Sequence, residues 1–201
     1  MSAPGGEKSR QRRTLLLIAL LFLLPVALSF YLYYGHSGWL PTGTANHGDL
    51  IIPPRTLPAI ALRDSNGATV DRPFDGAWSL IYVGPGSCDA RCREALYEMR
   101  QVRLALNRDS DRVRRVFLYE GDCCDESYFT EQQQGLLRLD LDSDADGKLV
   151  RAFPSAVPLV ESGRIWLADP HGNLMMSYAP AADAKGMLTD LKRLLKLSHI
   201  G

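Results

Sequence analysis

The 201-residue chain predicts an α/β domain, a central mixed sheet with flanking helices, preceded by one N-terminal transmembrane helix. Three observations carry that expectation. Residues 14–34 (TLLLIALLFLLPVALSFYLYY) are an uncharged run of 21, enough helix to cross a hydrocarbon core about 30 Å thick. Apolar runs at 78–83 and 113–119 flank a helical pattern at 91–107, and a strand–helix–strand order implies a right-handed crossover between parallel strands. A hairpin pattern at 165–178 and an apolar stripe near the C-terminus add antiparallel strands and a closing helix.

Residues 1–13 read as a cytoplasmic basic tail, because Lys8, Arg10, Arg12 and Arg13 precede the apolar run and nothing charged follows it until Asp49. Phe30, Tyr31, Tyr33, Tyr34 and Trp39 supply an aromatic belt for the far interface. The expected arrangement is a single-pass inner-membrane protein embedded in the lipid bilayer through residues 14–34. Its C-terminal domain then lies in the periplasm or an equivalent exported compartment. Pro25 also allows a cleaved signal peptide, with Ala27-Leu-Ser29 as a poor cleavage site; length and the aromatic belt favour the anchor. Either reading exports the domain to an oxidising compartment, where an even count of four cysteines permits disulfides.

Of 23 basic and 23 acidic residues, four basic and one acidic precede the run, leaving 19 and 22 beyond it and a net charge of −3. A mildly acidic exported part argues against nucleic acid as a partner, since phosphate neutralisation needs a basic face. Residues 35–57, rich in Gly, Pro and Thr and without periodicity, read as a flexible tether, with His36 and His47 as solvated linker residues. The domain proper is expected over 58–201.

Within it, 57–62 reads as a short strand, Asp64-Ser-Asn-Gly67 as a turn and 68–70 as a returning strand. Residues 79–83 form the central strand. In the helix at 91–107, Cys92, Leu96, Met99, Val102, Leu104 and Leu106 recur near the helical period, so one face packs on the sheet. Arg112, Arg114 and Arg115 read as a solvated helix-to-strand connection, and 136–141 as helix or strand. Asp142-Ser-Asp144-Ala-Asp146-Gly147 opens like a calcium loop, but its twelfth position is Phe153 where a bidentate Glu is needed. A polar turn is expected there instead. Residues 165–168 and 173–178 flank an Asp-Pro-His-Gly turn, and Met187, Leu188, Leu191, Leu194 and Leu195 mark the terminal helix that covers the sheet.

Cys88-Asp-Ala-Arg-Cys92 follows the strand and the Gly84-Pro-Gly86 turn and opens the helix. Unpaired amides and the helix dipole favour a thiolate at such a first turn, which makes Cys88 the expected nucleophile. A four-residue separation is about one turn, so the two sulfurs can close as a disulfide or hold one soft ion. They can equally be small buried residues or a structural disulfide. Cys123 and Cys124 follow the next parallel strand, and if the two strands are neighbours all four cysteines gather on one rim.

The order of an exported anchor, hairpin, strand–CxxxC–helix–strand, hairpin and closing helix resembles a thioredoxin-like fold. More narrowly, Cys88-x-x-x-Cys92 after Tyr-Val-Gly-Pro-Gly, together with Trp166-Leu-Ala-Asp-Pro-His-Gly172, is similar to the Sco/SenC family of copper chaperones for cytochrome c oxidase. The resemblance implies copper held by both motif cysteines and a histidine, and partners among respiratory oxidase subunits or their assembly factors. The approximate place of that histidine falls on Glu161 in Leu159-Val-Glu-Ser-Gly163, while His171 matches no family ligand. Cys123 or Cys124 would then complete an all-thiolate Cu(I) site with Cys88 and Cys92. Three readings stay open: an oxidase assembly factor delivering copper or reducing thiols through Cys88 and Cys92, a metal-free thiol–disulfide oxidoreductase, and a non-catalytic interaction domain with structural disulfides. In the second, Cys88 attacks, Cys92 resolves, and Pro158 is a candidate for the cis-proline of such enzymes.

Overall fold

The structure, a computed structural model, describes residues 5–35 and 46–198. It has two compact units that meet in sequence at Ala45 and Asn46. The first contains helix α1, Gly5–Gly35, which runs through Pro25. Its stretch Arg10–Leu32 is apolar and long enough to cross a membrane, and none of it is buried inside the protein. His36 and Trp39 lie outside the described residues.

The second unit is built on one eight-stranded sheet. Its strands are β1 Asp49–Thr56, β2 Ala61–Asp64, β3 Thr69–Asp71, β4 Trp78–Pro85, β5 Val113–Glu120, β6 Leu136–Asp140, β7 Ile165–Ala168 and β8 Asn173–Tyr178, in the order β1-β8-β7-β4-β5-β6-β2-β3. β4, β5 and β6 run parallel, and all other pairings are antiparallel. This is the mixed sheet the sequence predicts. The helices are α2 Ala90–Ala105, α3 Glu126–Gln132, α4 Lys148–Ala152 and α5 Ala184–Leu197.

The pleat explains why β4 reads as one continuous apolar run: it is covered on both faces. Leu80 and Tyr82 point into a core shared with Cys92, Leu96, Met99 and Val102 of α2 and Met187, Leu191 and Leu195 of α5. Ile81 and Val83 point into a second core with Leu149, Phe153 and Trp166. Each fully buried Leu or Met contributes about 1.5–3 kcal/mol, so the two cores hold the central strands rigid beneath the rim that carries the cysteines. Leu104, expected on the packed face of α2, is instead 54% exposed, while Leu106 just beyond the helix is buried.

Three sequence expectations change. Part of the segment read as a tether is strand β1, paired with β8 through Leu50↔Met176 and Arg55↔Leu174. Pro53 and Pro54 fall in the irregularity between those pairs, where no ladder donor is required. His47 is not a free linker residue: its backbone N–H donates to Asp190 Oδ2 at 2.9 Å and its Nδ1 lies 3.2 Å from Oδ1. Arg115 is not solvated but only 2% exposed, donating to Gln133 Oε1 at 2.7 Å and the Gln134 carbonyl at 2.6 Å. Burial, then Arg103 and Arg100, lower its pKa to about 10, so it stays a cation at neutral pH. Residues 136–140 are strand β6, one of the two readings the sequence leaves open. The Asp142–Gly147 stretch is a polar turn in which Asp144 accepts the Leu149 N–H, and Phe153 is buried.

Candidate redox site

β4 and β5 stay in register to their ends, where Pro85 pairs with Glu120. Cys88 and Cys123 each come three residues later, so the turns that carry them leave the same rim side by side. Gly86 N–H donates to the Glu120 carbonyl at 2.9 Å. A Cβ on Gly86 would lie 2.3 Å from the Asp122 carbonyl oxygen and 2.9 Å from Cys123 N. The two cysteine-bearing turns therefore touch backbone to backbone at this glycine.

Cys88 sits just ahead of α2, and Asp89 caps the helix by accepting the Cys92 N–H at 3.0 Å. That cap draws Cys92 into the first turn, one turn from Cys88, and the two form a disulfide with Cα atoms 5.1 Å apart. Cys88 adopts φ +47°, a left-handed conformation uncommon outside glycine and found at functional turns. The pair is closed off from solvent, with Cys88 2% and Cys92 0% exposed.

Cys123 and Cys124 are paired with each other across a cis peptide bond and pack half-buried against the core that contains Cys88 and Cys92. Arg93 of α2 ties the two turns together. Its Nε donates to the Cys88 carbonyl at 3.2 Å, and its terminal nitrogen donates to Asp125 Oδ2, also at 3.2 Å. Its guanidinium also stacks 4.5 Å above the Tyr128 ring. Asp125 caps α3, and hydrogen bonds from Ser127 and Tyr128, then Arg93, lower its pKa. A polar chain continues inward, with Gln133 Nε2 donating to Tyr128 Oη at 3.0 Å and Arg115 donating to Gln133.

On the β7 side of Cys88 lies a cleft of about 130 Å³ lined by Tyr82, Pro85, Asp89, Arg91, Val160, Glu161 and Gly163. The antiparallel pairing Tyr82↔Ile165 brings the segment before β7, including Glu161, to this rim. The same pairing sends the turn after β7, with His171, to the opposite edge, where it bridges to Asp75. Burial, then the Asp89 charge, raise the Tyr82 phenol pKa. Among the described residues no group of three or more His, Cys, Asp or Glu converges to hold a metal. The Val157–Pro158 bond is trans, so Pro158 is not a cis-proline beside the cysteines.

Sequence reading singles out the four cysteines and their common rim, but not Asp89, Arg93 or Gly86. Asp89 carries a signal of its own, an Asp immediately before a helical pattern. Gly86 and Arg93 matter through contacts with residues 32 to 37 positions away, which no local pattern records.

Comparison with known proteins agrees with this geometry. Apo Sco1 from Thermus thermophilus shares the fold with a TM-score of 0.60 at 18% identity, covering 77% of this chain and 99% of that one. Yeast Sco1 with copper bound gives 0.57 at 20% identity, covering 71% and 90%. The thioredoxin domain of a thiol-disulfide oxidoreductase from Bacteroides vulgatus gives 0.51 at 16%, covering 69% and 94%. These are likenesses of fold. No curated relative matches the chain. Residues 78–198, from the start of β4 through the end of α5, match a family described as "Transmembrane-like, thioredoxin-like, C-terminal domain". The mixed sheet with flanking helices fits the thioredoxin-like part of that description, and the chain belongs to this transmembrane-like, thioredoxin-like family.

Proposed function

We propose that this protein is a membrane-anchored thiol–disulfide exchange factor whose domain faces the exported side, the periplasm or its equivalent. In this reading it is a divergent Sco/SenC-like protein that serves respiratory cytochrome oxidase assembly by reducing cysteines of an oxidase subunit or assembly factor. The observation that carries it is the Cys88–Cys92 bond closing across the first turn of α2, with Cys88 ahead of the Asp89 cap. Thiolate at Cys88 is favoured there by the helix N-terminus, and Cys92 is placed to resolve a mixed disulfide.

The likeness to copper-bound Sco1 raises copper as cargo. The donor set here does not fit the two-cysteine, one-histidine site that the resemblance implies. Glu161, which lines the cleft, holds the approximate sequence place of that histidine, and a carboxylate is a hard ligand poorly matched to Cu(I). Thiol reduction therefore fits this donor set better than copper delivery.

The test isolates the pair. In full-length protein carrying Cys123→Ser and Cys124→Ser, the Cys88–Cys92 couple is equilibrated with thiol/disulfide buffers and quantified by alkylation. A potential above about −300 mV is expected, in the range of exchanging rather than structural bonds. A lower value would make the bond structural and the domain an interaction module. In the same background Cys88→Ser should remove all remaining exchange with a small disulfide.

A further inference from the structure

The mechanism above uses Cys88 and Cys92, yet neither is reachable from solvent, whereas the half-buried Cys123 and Cys124 are. We infer that the Cys123/Cys124 pair is a second redox couple that exchanges disulfide bonds with Cys88/Cys92 inside the domain, acting as the solvent-facing port of the buried pair. The inference rests on the thiol-exchange reading and adds the route by which thiols or disulfides outside reach it.

Three contacts support the juxtaposition. The Pro85↔Glu120 register delivers both turns to one rim. At Gly86 the turns are in backbone contact with Asp122 and Cys123. Arg93 binds the Cys88 carbonyl and the Asp125 carboxylate at once, which spans the two cysteine pairs with one planar side chain. Cys88 and Cys92 also belong to one buried apolar cluster, and Cys123 and Cys124 pack half-buried against it.

The step is an internal exchange that needs no outside oxidant or reductant. With Cys123–Cys124 bonded and the buried pair reduced, the Cys88 thiolate attacks one vicinal sulfur. A Cys88 mixed disulfide forms and the other vicinal cysteine leaves as thiolate. Cys92 yields its proton to that thiolate and attacks Cys88 Sγ. The Cys88–Cys92 bond closes and the second vicinal sulfur is released as thiolate. Two electrons and one proton pass from the buried pair to the exposed pair.

Adjacency sets the direction. Neighbouring Cα atoms are at most about 3.8 Å apart, short of the roughly 4.4–6.8 Å that an unstrained disulfide spans, so a bond between adjacent cysteines is the more easily reduced. The Cys88 and Cys92 Cα atoms, 5.1 Å apart, fall within that span. A domain holding a single disulfide therefore keeps it at Cys88–Cys92 and presents free thiols at Cys123 and Cys124 to a partner's cysteines.

The experiment uses full-length protein in detergent, fully reduced, with one equivalent of oxidised glutathione as probe. After timed alkylation and non-reducing digestion, wild type should carry its bond at Cys88–Cys92. In Cys123→Ser/Cys124→Ser that bond should form about tenfold more slowly or worse, because the buried sulfurs lose their port. Equal rates in the two proteins would overturn the inference. Independently, Cys92→Ser/Cys123→Ser and Cys92→Ser/Cys124→Ser leave Cys88 with one vicinal thiol each, and at least one should yield an intramolecular Cys88 disulfide on mild oxidation. Free thiols or intermolecular dimers in both would also overturn it. The outcomes separate from those of the parent reading: a Cys88–Cys92 potential above about −300 mV with equal oxidation rates removes the port but leaves exchange at Cys88 standing.

Discussion

Gly86→Ala is expected to destabilise the domain by about 2–3 kcal/mol, at the upper end for overpacking, and to part the two cysteine-bearing turns. The new methyl would sit 2.3 Å from the Asp122 carbonyl oxygen and 2.7 Å from its carbonyl carbon. Both are main-chain atoms at the root of Cys123, so no side-chain rotation relieves the clash. The only relief is movement of one turn, which stretches the 2.9 Å bond from Gly86 N–H to the Glu120 carbonyl. Gly84→Ala is the matched control: its nearest obstacle, at 2.8 Å, is Tyr82 Cε1, a side-chain atom and not main chain. It should cost less, on the order of 1 kcal/mol. Urea denaturation followed by near-ultraviolet circular dichroism checks both. If Gly86→Ala matches wild type in midpoint, the close approach of the two turns is not part of the folded protein. The same variant should slow bond transfer from Cys123–Cys124 to Cys88–Cys92.

The parts of this site that were legible in the sequence are those with a local cause. β4 is an uninterrupted apolar run because it is covered on both faces, and α2 announces itself by the spacing of Cys92, Leu96, Met99 and Val102. From those two elements the parallel crossover follows, and with it the gathering of both cysteine pairs on one rim. What escaped has distant causes. β1 is an edge strand, mostly exposed, and interrupted by Pro53 and Pro54, so it shows neither alternation nor a strand composition; only its pairing with β8 makes it a strand. Arg115 looked solvated among Arg112 and Arg114. It shares a face of β5 with Val113, Phe117 and Tyr119, and that two-residue alternation was the available signal that it points inward. Its partners, Gln133 and Gln134, lie 18 and 19 positions further along the chain, where no local pattern records them. The ligand problem at Glu161 was visible from the sequence, whereas the cleft it shares with Asp89 and Tyr82 depends on the antiparallel register of β4 and β7.

Asp190→Ala is expected to cost about 3 kcal/mol, because it strands buried donors as well as removing a charge. Asp190 lies on α5 and is 3% exposed. Its carboxylate accepts the His47 N–H at 2.9 Å, the Gly48 N–H at 3.0 Å and the Tyr178 hydroxyl at 3.4 Å, and faces His47 Nδ1 at 3.2 Å. The two amides immediately precede β1, so one side chain of the last helix holds the first strand of the sheet in place. Gly48 fits because a Cβ there would come within 2.7 Å of Met176 and Tyr178 side-chain atoms. The same crowding restricts water from replacing the lost acceptor at Gly48. Burial, then the Asp190 charge and its hydrogen bond, raise the Tyr178 pKa, so that hydroxyl stays protonated and remains a donor. Without the carboxylate, the start of β1 should detach before the rest of the sheet. Hydrogen exchange would show this as lost protection at the first amides of β1, while β4 and β5 amides keep theirs until global unfolding. Asp190→Asn, which retains one acceptor oxygen, should fall between wild type and alanine. If alanine leaves both the unfolding midpoint and β1 protection unchanged, the strand is held by its ladder with β8 alone, and the carboxylate is dispensable.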